Sequence, residues 1–111
     1  MKKITMKIGI IISQIDPETV WNAFRFGNFS LSKQHSVKIF LIGKGVECEE
    51  INDIHFNVKE QIEKFLNSGG KILSCGTCLK LRHKEATLAC PLSTMQDLMV
   101  LVEESDKIVS F

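Results

Sequence analysis

The chain has 111 residues, of which 44% are hydrophobic and 24% charged, and a formal net charge of +1, which suits one globular domain and not two. Acidic and basic residues are interleaved, so there is no electrostatic ground for nucleic acid or an acidic membrane as a partner. No stretch approaches the ~20 apolar residues that span a bilayer.

The start, "MKKITMKIGIIIS", imitates a secretion signal. However, its apolar run is short, Lys7 interrupts it and no small-residue cleavage site follows. A cytoplasmic protein is therefore expected, and its four cysteines read as thiols or ligands rather than a disulfide framework. Residues 6–12 are nearly continuous β-branched residues, the pattern of a strand buried on both faces. Asp16-Pro17-Glu18 marks a helix start, with an aspartate cap, a proline in the first turn and an acid at the positive end. The helix is expected to reach about Lys33, with Val20, Phe24, Gly27 and Leu31 on its buried stripe. Trp21, Phe26 and Phe29 fall off that stripe. They point to an interface between subunits or to burial of a second helix face within the chain.

Residues 37–42 predict a second buried strand, closed by "GKG". After an irregular piece, residues 58–66 have helical spacing and end at "NSGG". Residues 71–74 predict a third strand and residues 76–82 a short helix. Pro91 limits any strand between 83 and 93 to a short or edge strand. Ser93 or Thr94 is expected to cap a helix through Glu104, and residues 107–111 form a last strand. The alternation predicts an α/β fold: a three-layer α/β/α arrangement with a mostly parallel sheet of about five strands. In such sheets the crevice beyond the carboxyl ends of the strands is the usual functional place. Ser13-Gln14, Gly43-Lys44-Gly45 and Ser74-Cys75 all lie there.

"ILSCGTCLKLRH" holds the strongest chemical signal. Cys75 stands where a strand turns into a helix, where free N–H groups and partial positive charge lower a thiol pKa. Cys78, one turn on, can reach Cys75 or point into the core. Three other readings stand beside the nucleophile. Both cysteines can be small buried hydrophobes. Cys75, Cys78, His83 and Cys90 offer four ligand types suited to zinc, though not at knuckle spacing. The C-x-x-C before a helix also suits a thiol–disulfide switch, although the motif comes late in the chain for a thioredoxin-like fold. Gly43 and Gly45 read as a tight turn packed close to the crevice; a lone G-x-G is weak evidence for a phosphate cradle. Cys48 and Cys90 read as packed residues, and His35 and His55 as surface residues.

Several segments together resemble the DsrE-like sulfur-relay proteins, the YchN and TusD-like group. They are "MKIGIII", "TVWNAFRFGNFSL", "VKIFLIGKGVE", "GGKILSCGTCLKLR" and "SDKIVSF". The resemblance runs nearly end to end and implies one DsrE-like domain over residues 1–111. It also implies a trimer or hexamer with the first helix contributing, and persulfide donor and acceptor proteins as partners. By this resemblance Cys75 carries sulfane sulfur as a persulfide, Cys78 belongs to the CGxC form of small members, and Arg82 is the basic residue beyond. His83 stands where the family often has glycine. No cofactor or metal is implied. The rival to a sulfur carrier is a non-catalytic small-ligand or protein-binding module on the same fold.

Overall fold

The computed structural model describes residues 4–111. Five parallel strands form one sheet in the order β4-β3-β2-β1-β5. They are β1 (Lys7–Ile12), β2 (Ser36–Leu41), β3 (Lys71–Cys75), β4 (Leu92–Ser93) and β5 (Lys107–Ser110). The helices are α1 (Pro17–Ser32), α2 (Val58–Asn67), α3 (Gly76–Leu81) and α4 (Met95–Glu104), with a 3-10 helix over Gly43–Glu50.

With right-handed crossovers, that order decides which face each helix covers. β1 to β2 and β2 to β3 step the same way across the sheet, which puts α1 and α2 on one face. The return from β4 to β5 crosses the whole sheet and puts α4 on the other. Neighbouring residues of β1 show the two sides. A Cβ on Gly9 would lie 2.6 Å from Leu101 of α4. Ile10 faces Gly27 of α1. Register places Ile10 beside Ile39 and Val109, and Ile39 beside Ile72. Ile10, Ile39 and Ile72 are buried among Phe24, Phe65 and Val20 in the main core.

The caps match the chemistry of their residues. The Asp16 carboxylate accepts from the Thr19 N–H at 3.0 Å, and Pro17 opens α1. Thr94, rather than Ser93, caps α4, in a reciprocal box with Asp97. Asn57 caps α2, which sequence reading did not foresee. The segment before α4 contains a two-residue edge strand, held where the Ser74 N–H donates to the Pro91 carbonyl at 2.9 Å.

The aromatic residues off the α1 stripe divide. Trp21 is half-buried against Phe56 at a centroid distance of 5.3 Å, with the Arg25 guanidinium 4.3 Å over its ring. Phe26 rests against Phe111. Phe29 stays 61% exposed. α4 buries only Leu101 and leaves Met95, Met99 and Val102 outward.

Candidate functional site

β3 delivers Cys75 to the carboxyl edge of the sheet, and Cys75 itself is the N-cap residue of α3. The expected strand-to-helix turn is there. The main-chain N–H groups of Thr77 and Cys78 favour the charged form of the Cys75 sulfur, as free groups at a helix start do. The Cys75 and Cys78 thiols lie close enough to interact. All four cysteines are free thiols.

One expectation fails. The helix start was expected to lower the Cys75 pKa, yet the thiol is pushed up from its ordinary value. Burial is the largest cause, since Cys75 is only 3% exposed, and the neighbouring Cys78 adds to it. The two N–H groups pull the other way and lose. Cys78 is the half-buried member of the pair.

The loop after β2 completes the site. The Gly43 N–H donates to the Cys78 sulfur at 3.2 Å. Gly43 takes φ +57°, a left-handed backbone that glycine adopts without strain. Gly45 serves differently: any Cβ there would overlap the Ile12 carbonyl at the end of β1. Both glycines therefore seat the loop against the edge where the thiols lie.

Arg82 is tied down rather than free. Its Nη1 donates to the Cys78 carbonyl at 3.0 Å, and its Nε pairs with Glu47 at 3.3 Å. Glu47 belongs to a set of three carboxylates on the 3-10 helix. Glu49 accepts from the Thr87 hydroxyl at 2.8 Å, and Glu50 pairs with Lys84 at 2.6 Å. These contacts join the 3-10 helix to α3 and to the segment after it. Sequence reading missed this role. The signal was there: "VECEE" set against the cations and hydroxyl of "RHKEAT".

His83 takes φ +53° at the end of α3, the left-handed backbone that a glycine there would adopt freely. Its N–H still reaches the Lys80 carbonyl, so the turn closes. The zinc quartet does not assemble: among the described residues no three His, Cys, Asp or Glu side chains stand together to hold a metal.

Cys48 and Cys90 are buried. Burial, reinforced by Glu49, pushes Cys48 up to about 12 and Cys90 higher still. Cys90 lines a recess of about 260 Å³ with Ser74, Leu79 and Thr87. A thiol that holds its proton more tightly when folded stabilises the chain fully below the unfolded thiol value and loses that contribution as pH rises past it. The melting temperature is therefore expected to fall as pH climbs above 9.0, the ordinary thiol value. Each thiol that only the unfolded chain ionises contributes up to about 1.4 kcal/mol per pH unit to the loss. Thermal melts of wild type and Cys48→Ala from neutral to alkaline pH check this: the variant should lose stability less steeply, and an unchanged slope would refute the assignment.

The fold and site together define a class: a parallel α/β sheet between helical layers, with a thiol pair at its carboxyl edge. The DsrE/DsrF-like family matches residues 6–111, and this chain belongs to that family, which brings with it the sulfur-relay fold. It is 31% identical over 114 residues to an uncharacterized protein of Methanocaldococcus jannaschii, covering 96% of this chain and all of that one. An uncharacterized protein of Methanopyrus kandleri is 32% identical over 112 residues, covering 94% of this chain and 93% of its own. The solved structure of the YchN protein from E. coli superposes with a TM-score of 0.83 at 14% identity, over 97% of this chain and all of that one. A conserved protein of unknown function from Bacteroides thetaiotaomicron gives 0.75 at 22% identity, over 95% of this chain and 94% of that one. At such identities the two structures speak for the fold. Among the described residues no helix is long and apolar enough to cross a membrane.

Proposed function

We propose that the chain acts as a single domain that carries sulfane sulfur as a persulfide on Cys75, taking it from a persulfide donor protein and yielding it to an acceptor thiol. One observation carries this reading: two neighbouring sulfurs at the carboxyl edge of the sheet, each under the influence of main-chain N–H groups. Thr77 and Cys78 supply them to Cys75, and Gly43 supplies one to Cys78. Such donors stabilise sulfur anions, the species that attack and leave in thiol exchange. Enclosure of Cys75 raises its pKa but shields a bound persulfide from stray thiols. A reducing cytoplasm, which keeps all four cysteines free, is the compartment this chemistry suits.

The test is intact mass after loading with glutathione persulfide, removal of the donor and a brief wash with a small thiol. Wild type is expected to keep the mass of one added sulfur atom, and Cys75→Ser to lose it. Equal retention by the two would remove Cys75 from the role.

The same reading includes a homo-oligomer. Support comes from Phe29, 61% exposed, and from the outward Met95, Met99 and Val102 of α4. Sedimentation equilibrium at micromolar concentration should give more than one subunit mass; a monomer there would contradict it.

A further inference from the structure

We propose that Cys78 receives the sulfur from outside and hands it inward to Cys75, an order of events that rests on the persulfide reading above. Four observations lead there. Cys75 is 3% exposed, whereas Cys78 is half-buried, so a bulky donor persulfide meets Cys78 first. The two thiols stand in the first turn of α3, close enough to interact, so a sulfur atom on one lies within reach of the other. The Gly43 N–H points at the Cys78 sulfur from the start of the 3-10 helix, at 3.2 Å. Arg82 bonds to the carbonyl of Cys78 and to Glu47, holding that stretch of α3 against the 3-10 helix.

In the first step Cys78 gives its proton to solvent, and its thiolate attacks the outer sulfur of the donor persulfide. The donor's S–S bond breaks, the donor thiolate leaves with the electron pair and takes a proton, and Cys78 bears the persulfide. In the second step Cys75 gives its proton to solvent and attacks that outer sulfur. The Cys78–sulfur bond breaks, and Cys78 leaves as a thiolate, to be reprotonated from solvent. One sulfur atom moves between thiols at each step, and no electrons are gained or lost overall. Attack by Cys75 on the inner sulfur instead would expel hydrosulfide and leave a Cys75–Cys78 disulfide. The Gly43 N–H selects between the two courses, because it stabilises charge on the Cys78 sulfur and so makes that sulfur the better leaving group. Release to an acceptor runs back along the same path, so Cys78 governs traffic both ways while Cys75 stores.

The experiment is rapid-quench loading with glutathione persulfide, followed by alkylation and peptide mapping. In wild type the added sulfur is expected on Cys78 first and on Cys75 later, a reading that needs no variant. Cys78→Ser and Cys78→Ala, checked for wild-type circular dichroism, should load at least about tenfold more slowly, the factor expected when the accessible thiolate is removed. Cys75→Ser, quenched before any thiol wash, should hold its added sulfur on Cys78. If the Cys78 variants load as fast as wild type, with sulfur reaching Cys75 first, the inference falls and the Cys75 carrier stands. If Cys75 never holds sulfur in wild type, the carrier reading itself falls and takes this order with it.

Discussion

The Gly45→Ala variant is expected to lose roughly 3 kcal/mol or more, because a backbone-on-backbone overlap has no side chain to give way. An added Cβ would run into the Ile12 carbonyl and crowd the Ser13 nitrogen, both main-chain atoms at the end of β1. The loop must then lift from the sheet edge, and it is the same loop that presents the Gly43 N–H to Cys78. The melting temperature should fall by roughly 12–24 °C, taking 4–8 °C per kcal/mol for a chain of this size. Gly43→Ala is the control. A Cβ there meets only the Ser13 carbonyl at 3.8 Å, so what remains is the left-handed backbone at φ +57°. That strain costs about 1–2 kcal/mol. Thermal denaturation of the two variants side by side checks the contrast, and equal losses would show that close approach is not what Gly45 serves.

Phe65→Ala should cost about as much or more, roughly 3–5 kcal/mol by the range for buried phenylalanines. Phe65 has no exposed surface and meets Phe24 edge-on at a centroid distance of 5.7 Å. Its ring also sits where Gly27 and Gly70 lack side chains: a Cβ on Gly27 would lie 3.0 Å away, and one on Gly70 would overlap it. Two glycines cannot move side chains into the space a lost ring leaves, so the cavity stays open and the cost lies toward the upper end. Urea denaturation measures it. A loss under about 1.5 kcal/mol, the scale of a volume-conserving swap, would mean that the helices close over the gap.

Most of the architecture could be read from the sequence because it depends on local rules. A near-continuous β-branched run marked β1, an apolar run marked β2, and Asp16-Pro17 marked the start of α1 within a residue. The 3-10 helix Gly43–Glu50 was not legible, because "GKGVECEE" has neither the helical nor the strand period. Its order comes from partners distant in sequence: Arg82, Lys84 and Thr87. The two-residue β4 likewise depends on pairing Ser74 with Leu92 and Cys75 with Ser93.

At the site, position could be read and environment could not. A thiol between a strand and a helix start is a statement about neighbours in sequence, and the N–H groups of Thr77 and Cys78 are where that rule puts them. How far Cys75 is enclosed depends on what folds over it. Gly76 shows the covering: a Cβ there would lie 3.1 Å from Leu92, brought in by β4. Hence the direction of the Cys75 shift reversed. The family resemblance, "CGTCLKLR" above all, named the residues but not which of the two thiols the solvent reaches.

The central claim is that the enclosed sulfur of Cys75 is where the cargo rests. Peptide mapping of wild-type protein at equilibrium with a persulfide donor, after native alkylation and quenching, tests it most directly. The added sulfur is expected on Cys75, located by fragmentation of the peptide that also bears Cys78, and none on the peptides bearing Cys48 or Cys90. Sulfur resting on Cys78, on Cys48 or Cys90, or on no cysteine at all would overturn it.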